Sequence, residues 1–97
     1  MAKRRMLAPV YKRKMWELLQ ISLLEELKQG ALLHLVYLEL EALHHEAFVE
    51  LRRAQKDDKN PLAATEIHLY TQFLSMPPIK LIDQFCQTHN LRPRPEA

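Results

Sequence analysis

A chain of 97 residues that contains one glycine, one cysteine and two serines has closed off several classes of protein by what it lacks. With Gly30 alone there is no glycine-rich loop to cradle a phosphate, so P-loop and dinucleotide-binding fingerprints are excluded. With Cys86 alone no intrachain disulfide forms, which removes the stapled secreted scaffolds and favours a reducing compartment, the cytoplasm. No apolar run approaches the roughly 18 residues of a membrane-spanning helix, and the longest, Ala31 to Leu38, is interrupted by His34. The basic start, Met1 to Arg5, is followed by Tyr11-Lys12-Arg13-Lys14 where a secretion signal would carry its apolar stretch, so neither export nor membrane insertion is expected. The absence of acid before Glu17 would suit an organellar transit peptide, but such peptides are serine-rich and the first serine here is Ser22.

What the chain has in quantity is leucine. Eighteen leucines stand against seven valines and isoleucines, with 47% hydrophobic and 27% charged residues overall, a composition for one compact domain built from helices. The expected fold is all-α: two longer helices in an antiparallel hairpin followed by two short ones, a small helical bundle. Pro9 suits a first helical turn, and Trp16, Leu19, Leu23 and Leu27 then recur as one apolar stripe that Gly30 stops. A second helix is expected from about Ala31 to Gln55, a third from about Pro61 to Ser75, and a fourth from Pro78 to about Thr88 with Asn90 as a left-handed cap. Residues 1–8 read as a basic arm, 9–91 as the helical domain and 92–97 as a proline-rich tail. A single kinked helix through Gly30 is the alternative to the hairpin, which is favoured because folding back covers both stripes.

Helix two carries apolar residues on two sides. At about 100° per residue, Leu32, Leu33, Val36, Tyr37, Leu40, Leu43, Ala47, Phe48 and Leu51 form a broad core stripe. Ala31, Leu35, Leu38, Ala42 and Val49 form a second, narrower one. Either helices three and four cover that second stripe or a second copy of the chain does. Leu35, Leu38, Ala42 and Val49 are therefore the candidate interface of a homodimer.

Charge is strongly segregated. Residues 1–14 carry +6, residues 15–51 carry −6, and the remainder carries +2. Lys12, Arg13 and Lys14 stand in a first helical turn, where each opposes the helix dipole at a local cost on the order of 0.3–1 kcal/mol. An acidic partner would favour them there. Lys3, Arg4, Arg5, Lys12, Arg13 and Lys14 are the candidate nucleic-acid-binding residues, with Tyr11 and Trp16 near enough in sequence to stack on bases. The protein's own acidic middle segment, or that of a second copy, is the competing partner.

Other constellations are weaker. Glu41-Ala42-Leu43-His44 has the Glu-x-x-His spacing of carboxylate-bridged di-iron bundles, but one motif supplies half of such a centre, and a dimer with Glu25 or Glu26 would have to complete it. His44 otherwise reads as a hydrogen-bonded core histidine. Cys86 with His89 lacks an orienting third group for nucleophilic catalysis. Six proline-rich residues after Leu91 cannot supply a DNA-recognition helix. The reading is therefore a small, non-enzymatic, cofactor-free regulator or adaptor that binds an acidic partner, nucleic acid foremost. The rivals are a metal-binding, ferroxidase-like dimer and a chaperone or structural subunit that holds a protein client on the second stripe.

Overall fold

The computed structural model describes residues 2–92, with side chains from Pro9 onward. It is an all-α helical bundle with no strand among the described residues. Helix α1 spans Ala2–Glu25, α2 spans Leu33–Lys56, α3 spans Ala63–Phe73 and α4 spans Pro78–Thr88. A 3₁₀ turn over Glu26–Gln29 joins α1 to Gly30.

Local chemistry sets most of these boundaries. Gly30 stands at φ 91°, and the Ala31 amide donates to the Glu26 carbonyl at 3.1 Å, so the left-handed residue that only glycine adopts freely ends the first helix. Asn90 repeats the device at φ 53°, with the Leu91 amide on the Cys86 carbonyl at 2.8 Å. Pro78 opens α4, where its missing N–H is no loss. Before α3, the Asn60 side chain accepts from the Leu62 amide at 3.0 Å and donates to Glu66 at 2.8 Å, so that helix begins at Ala63, two residues after Pro61.

The start of α1 departs from expectation. The helix begins at Ala2, with Pro9 inside it, so the expected arm over residues 1–8 is helical from its second residue. Alanine, lysine, arginine, methionine and leucine fill those positions, all strong helix formers, and they extend the helix upstream despite the amide that Pro9 lacks.

Contacts between α1 and α2 join Lys12 to Glu50, Trp16 to Glu46 and Gln20 to His44, so residue number rises along one helix as it falls along the other. One end of the pair lies at Gly30 and the other holds the start of α1 and the end of α2. Helix α3 packs at that open end, where Trp16, Leu43, Ala47, Leu51, Tyr70 and Phe73 form one buried cluster. Helix α4 packs at the turn end, where Leu24, Leu27, Val36, Leu40, Ile82 and Cys86 form the other. Leu23 touches both.

Two core expectations are corrected. Leu19 is exposed, while Leu24 is buried in its place, packed in the turn-end cluster against Val36 and Leu40 of α2 and Ile82 and Cys86 of α4. Phe48 is likewise exposed, at the edge of the broad stripe of α2, where Arg52 lies 5.9 Å from its ring centroid.

Candidate basic interface and the residues around it

The basic N-terminal segment is partly spent inside the molecule. Lys12 Nζ lies 3.0 Å from Glu50 Oε1, which also takes Arg53 at 3.1 Å through its other oxygen. Arg13 pairs with Glu17 at 3.0 Å and donates to the Gln72 side chain at 2.6 Å, tying α1 to α3. Lys14 has no ion pair among the described residues. Lys3, Arg4 and Arg5 lie outside the residues whose side chains are described. The acidic middle segment is thus the partner of Lys12, and because α1 begins at Ala2, Lys12, Arg13 and Lys14 stand in the interior of the helix and not in the first turn where its dipole would oppose them.

Trp16 is not available to a nucleic-acid base. It is 3% exposed, edge-on to Tyr70 at 4.9 Å between centroids and 5.5 Å from Phe73, with its indole N–H donated to Glu46 at 3.2 Å. Burial, with Glu66 nearby, raises the Tyr70 phenol far above its ordinary range, so it remains a neutral donor. Tyr11, by contrast, is exposed.

The fold adds bases that a reading along the chain does not group with the N-terminus. Because α2 ends where α1 begins, exposed Arg52, Arg53 and Lys56 come to the same end of the molecule as Lys14. A shallow depression of about 400 Å³ lies among His45, Phe48, Val49, Arg52, Arg53 and Lys56. The signal was present in the sequence only as a second basic run at residues 52–59, and its proximity to the first depends on how α1 pairs with α2. Residues 1–16 with 47–75 together carry +6, and residues 17–46 with 76–92 carry −4, so the bundle has one basic and one acidic end.

The four candidate interface residues are grouped on one side. Leu35, Leu38, Ala42 and Val49 point away from buried Leu40, Ala47 and Leu51, and Leu35 is 54%, Leu38 47% and Val49 42% exposed. Neither α3 nor α4 covers them. No described helix is long and apolar enough to cross a membrane.

The two residues of the Glu-x-x-His motif stand in different environments. His44 is buried, its ring tilted against Phe73 at 4.9 Å between centroids, and its Nε2 lies 2.7 Å from the Gln20 side-chain carbonyl oxygen, which can only accept. Burial lowers its proton affinity below the ordinary imidazole value, with Glu41 opposing in part. Glu41 itself is exposed and accepts from the Tyr37 hydroxyl at 2.9 Å. No group of three His, Cys, Asp or Glu side chains comes together among the described residues. Cys86 is buried, which pushes its thiol up, and the His89 ring is tilted against Phe85 at 4.3 Å between centroids. An open groove of about 510 Å³ runs between the start of α2 and α4, floored by Leu33, Ile79, Ile82 and Leu91.

Comparison of the chain with family models, with curated proteins and with solved structures returned no match.

Proposed function

We propose that the chain is a small cytoplasmic regulator or adaptor, folded around an antiparallel hairpin of α1 and α2, that binds nucleic acid at its basic end. The observation that carries this reading is the grouping of exposed Arg52, Arg53 and Lys56 around exposed Phe48 at the end of α2, with Lys14 at the same end of the bundle on α1. Clustered bases bind phosphates by releasing counterions and need little geometric precision, and an exposed ring among them offers a stacking surface. The free, buried Cys86 fits a reducing compartment.

The test is the salt dependence of binding. Affinity for DNA or RNA should fall with salt along a log–log line, with a slope of roughly −0.9 per duplex phosphate neutralised. Changing Lys14, Arg52, Arg53 and Lys56 together to glutamine should flatten that slope by up to about four such increments and weaken binding nearly equally across sequences. Micromolar protein with no salt-dependent retention of any nucleic acid at about 50 mM salt overturns the reading.

A further inference from the structure

Two sets of large apolar side chains face outward, and they border the same seam. On α2 they are Leu35, Leu38 and Val49, with Ala42 among them; on α1 they are Tyr11, Met15, Leu18 and Leu19. Lys12 and Trp16 reach across to Glu50 and Glu46, while Arg13, one position round from Lys12, reaches α3. Met15 and Leu19 follow Lys12 and Trp16 by three positions and so lie on the flank of α1 next to α2 and away from α3. Ala42 and Val49 stand next to Glu46 and Glu50 on the outer flank of α2. Both sets therefore belong to one two-helix face on the side of the bundle opposite α3.

We propose that a second copy of the chain covers this face, packed head to tail, so that the basic end of each copy lies against the acidic end of the other. The size is right. Two adjacent helices about 9–10 Å apart, exposed over roughly 25 Å of length, present a corrugated strip whose area approaches the ~800 Å² per partner of a stable interface. Leucine, methionine and valine dominate the strip, and Ala42 near its middle lets the backbones approach. The charge selects both the partner and its direction. Each copy carries +6 at one end and −4 at the other, and the edges of the face repeat the pattern, with Arg53 and Lys56 toward the open end and Glu26 and Glu39 toward the turn. A twofold, self-complementary pairing in reverse direction places unlike ends together, whereas a side-by-side pairing sets two basic ends in contact. A chain of this size also buries too little surface alone to be more than marginal, and the second copy completes its core.

The pairing draws on Arg53 and Lys56, which the nucleic-acid reading also uses, and is tested without nucleic acid. Sedimentation of the full chain from low to high micromolar concentration should show a dimer. Leu38→Glu on α2 and Leu19→Glu on α1 should each raise the dissociation constant by at least about tenfold while helix content by circular dichroism is retained, since both residues are exposed in the single chain. Spin labels at Lys56→Cys, with buried Cys86 unreactive, should lie on the order of 35 Å apart in the head-to-tail dimer, from about 1.5 Å of rise per residue on either side of the twofold axis. A monomer throughout that range overturns the proposal, as does a dimer that neither substitution weakens. A dimer with labels closer than about 15 Å overturns the head-to-tail arrangement, since 12 or so residues of helix would separate each label from the axis. A monomer that still binds nucleic acid would sink the dimer and leave the basic interface standing; a dimer that binds none would do the reverse.

Discussion

The two ends of the bundle are held together by different chemistry. At the turn end the core is aliphatic, Leu24, Leu27, Val36, Leu40 and Ile82 with Cys86, and the short passage through Gly30 already keeps α1 near α2. At the open end three aromatic rings, Trp16, Tyr70 and Phe73, pack with Leu43, Ala47 and Leu51, and buried His44 lies beside them. Directional bonds accompany it: Trp16 to Glu46, Lys12 to Glu50, Arg13 to Gln72 and His44 to Gln20. Where the chain holds two helices near each other through a short connection, nonspecific apolar packing is enough. Where nothing covalent constrains them, a third helix and polar contacts of fixed geometry define their pairing.

The sharpest way to break this comparison is Trp16→Ala. Removal of a ring that touches two other aromatic residues should cost about 3–5 kcal/mol, and amide exchange should report loss of protection in α3 before α4. Equal loss in both short helices would mean that the two ends are one cooperative unit. At the turn end, Ile82→Ala should cost about 2–4 kcal/mol by urea denaturation and loosen α4 with α3 left protected.

Trp16→Phe separates shape from direction, because it keeps a ring but loses the indole donor. Glu46 is exposed and regains water, so the expected loss is only about 1 kcal/mol. The acid response should also come from the open end. His44 has an ordinary value of 6.5 that burial lowers in the folded chain, so above pH 6.5 the ring is neutral in both states and stability is unaffected. As pH falls below 6.5 the unfolded chain binds the proton first, and stability declines until the folded ring titrates. Urea midpoints at pH 7 and pH 5 should therefore diverge more in the wild type than in His44→Gln; equal divergence would assign the acid sensitivity elsewhere. The smallest effect belongs to Lys12→Gln, below about 1 kcal/mol, because the lysine is 42% exposed and Glu50 keeps Arg53.

The two residues of the Glu-x-x-His spacing end in different surroundings. Glu41 and His44 have the spacing to share one side of a helix, but His44 turns into the open-end core while Glu41 stays in solvent. Spacing along one helix says which residues are neighbours. It does not say which neighbour the next helix will cover.

The same distinction separates what the chain encodes locally from what packing decides. Gly30, Asn90 and Pro78 marked helix ends because left-handed backbone and a missing amide act within a few residues, whatever the tertiary fold. The two apolar stripes of α2 were legible because helical periodicity alone sets their separation. Tertiary structure decided that α3 and α4 lie on the far side from Leu35, Leu38 and Val49, that Leu24 and not Leu19 turns inward, and that Lys12 meets Glu50. It also joined Arg52, Arg53 and Lys56 to the basic start of α1. These outcomes depend on the rotation of one helix against another, a choice set by the fit of side chains 20 to 60 positions apart, which no short stretch of sequence carries.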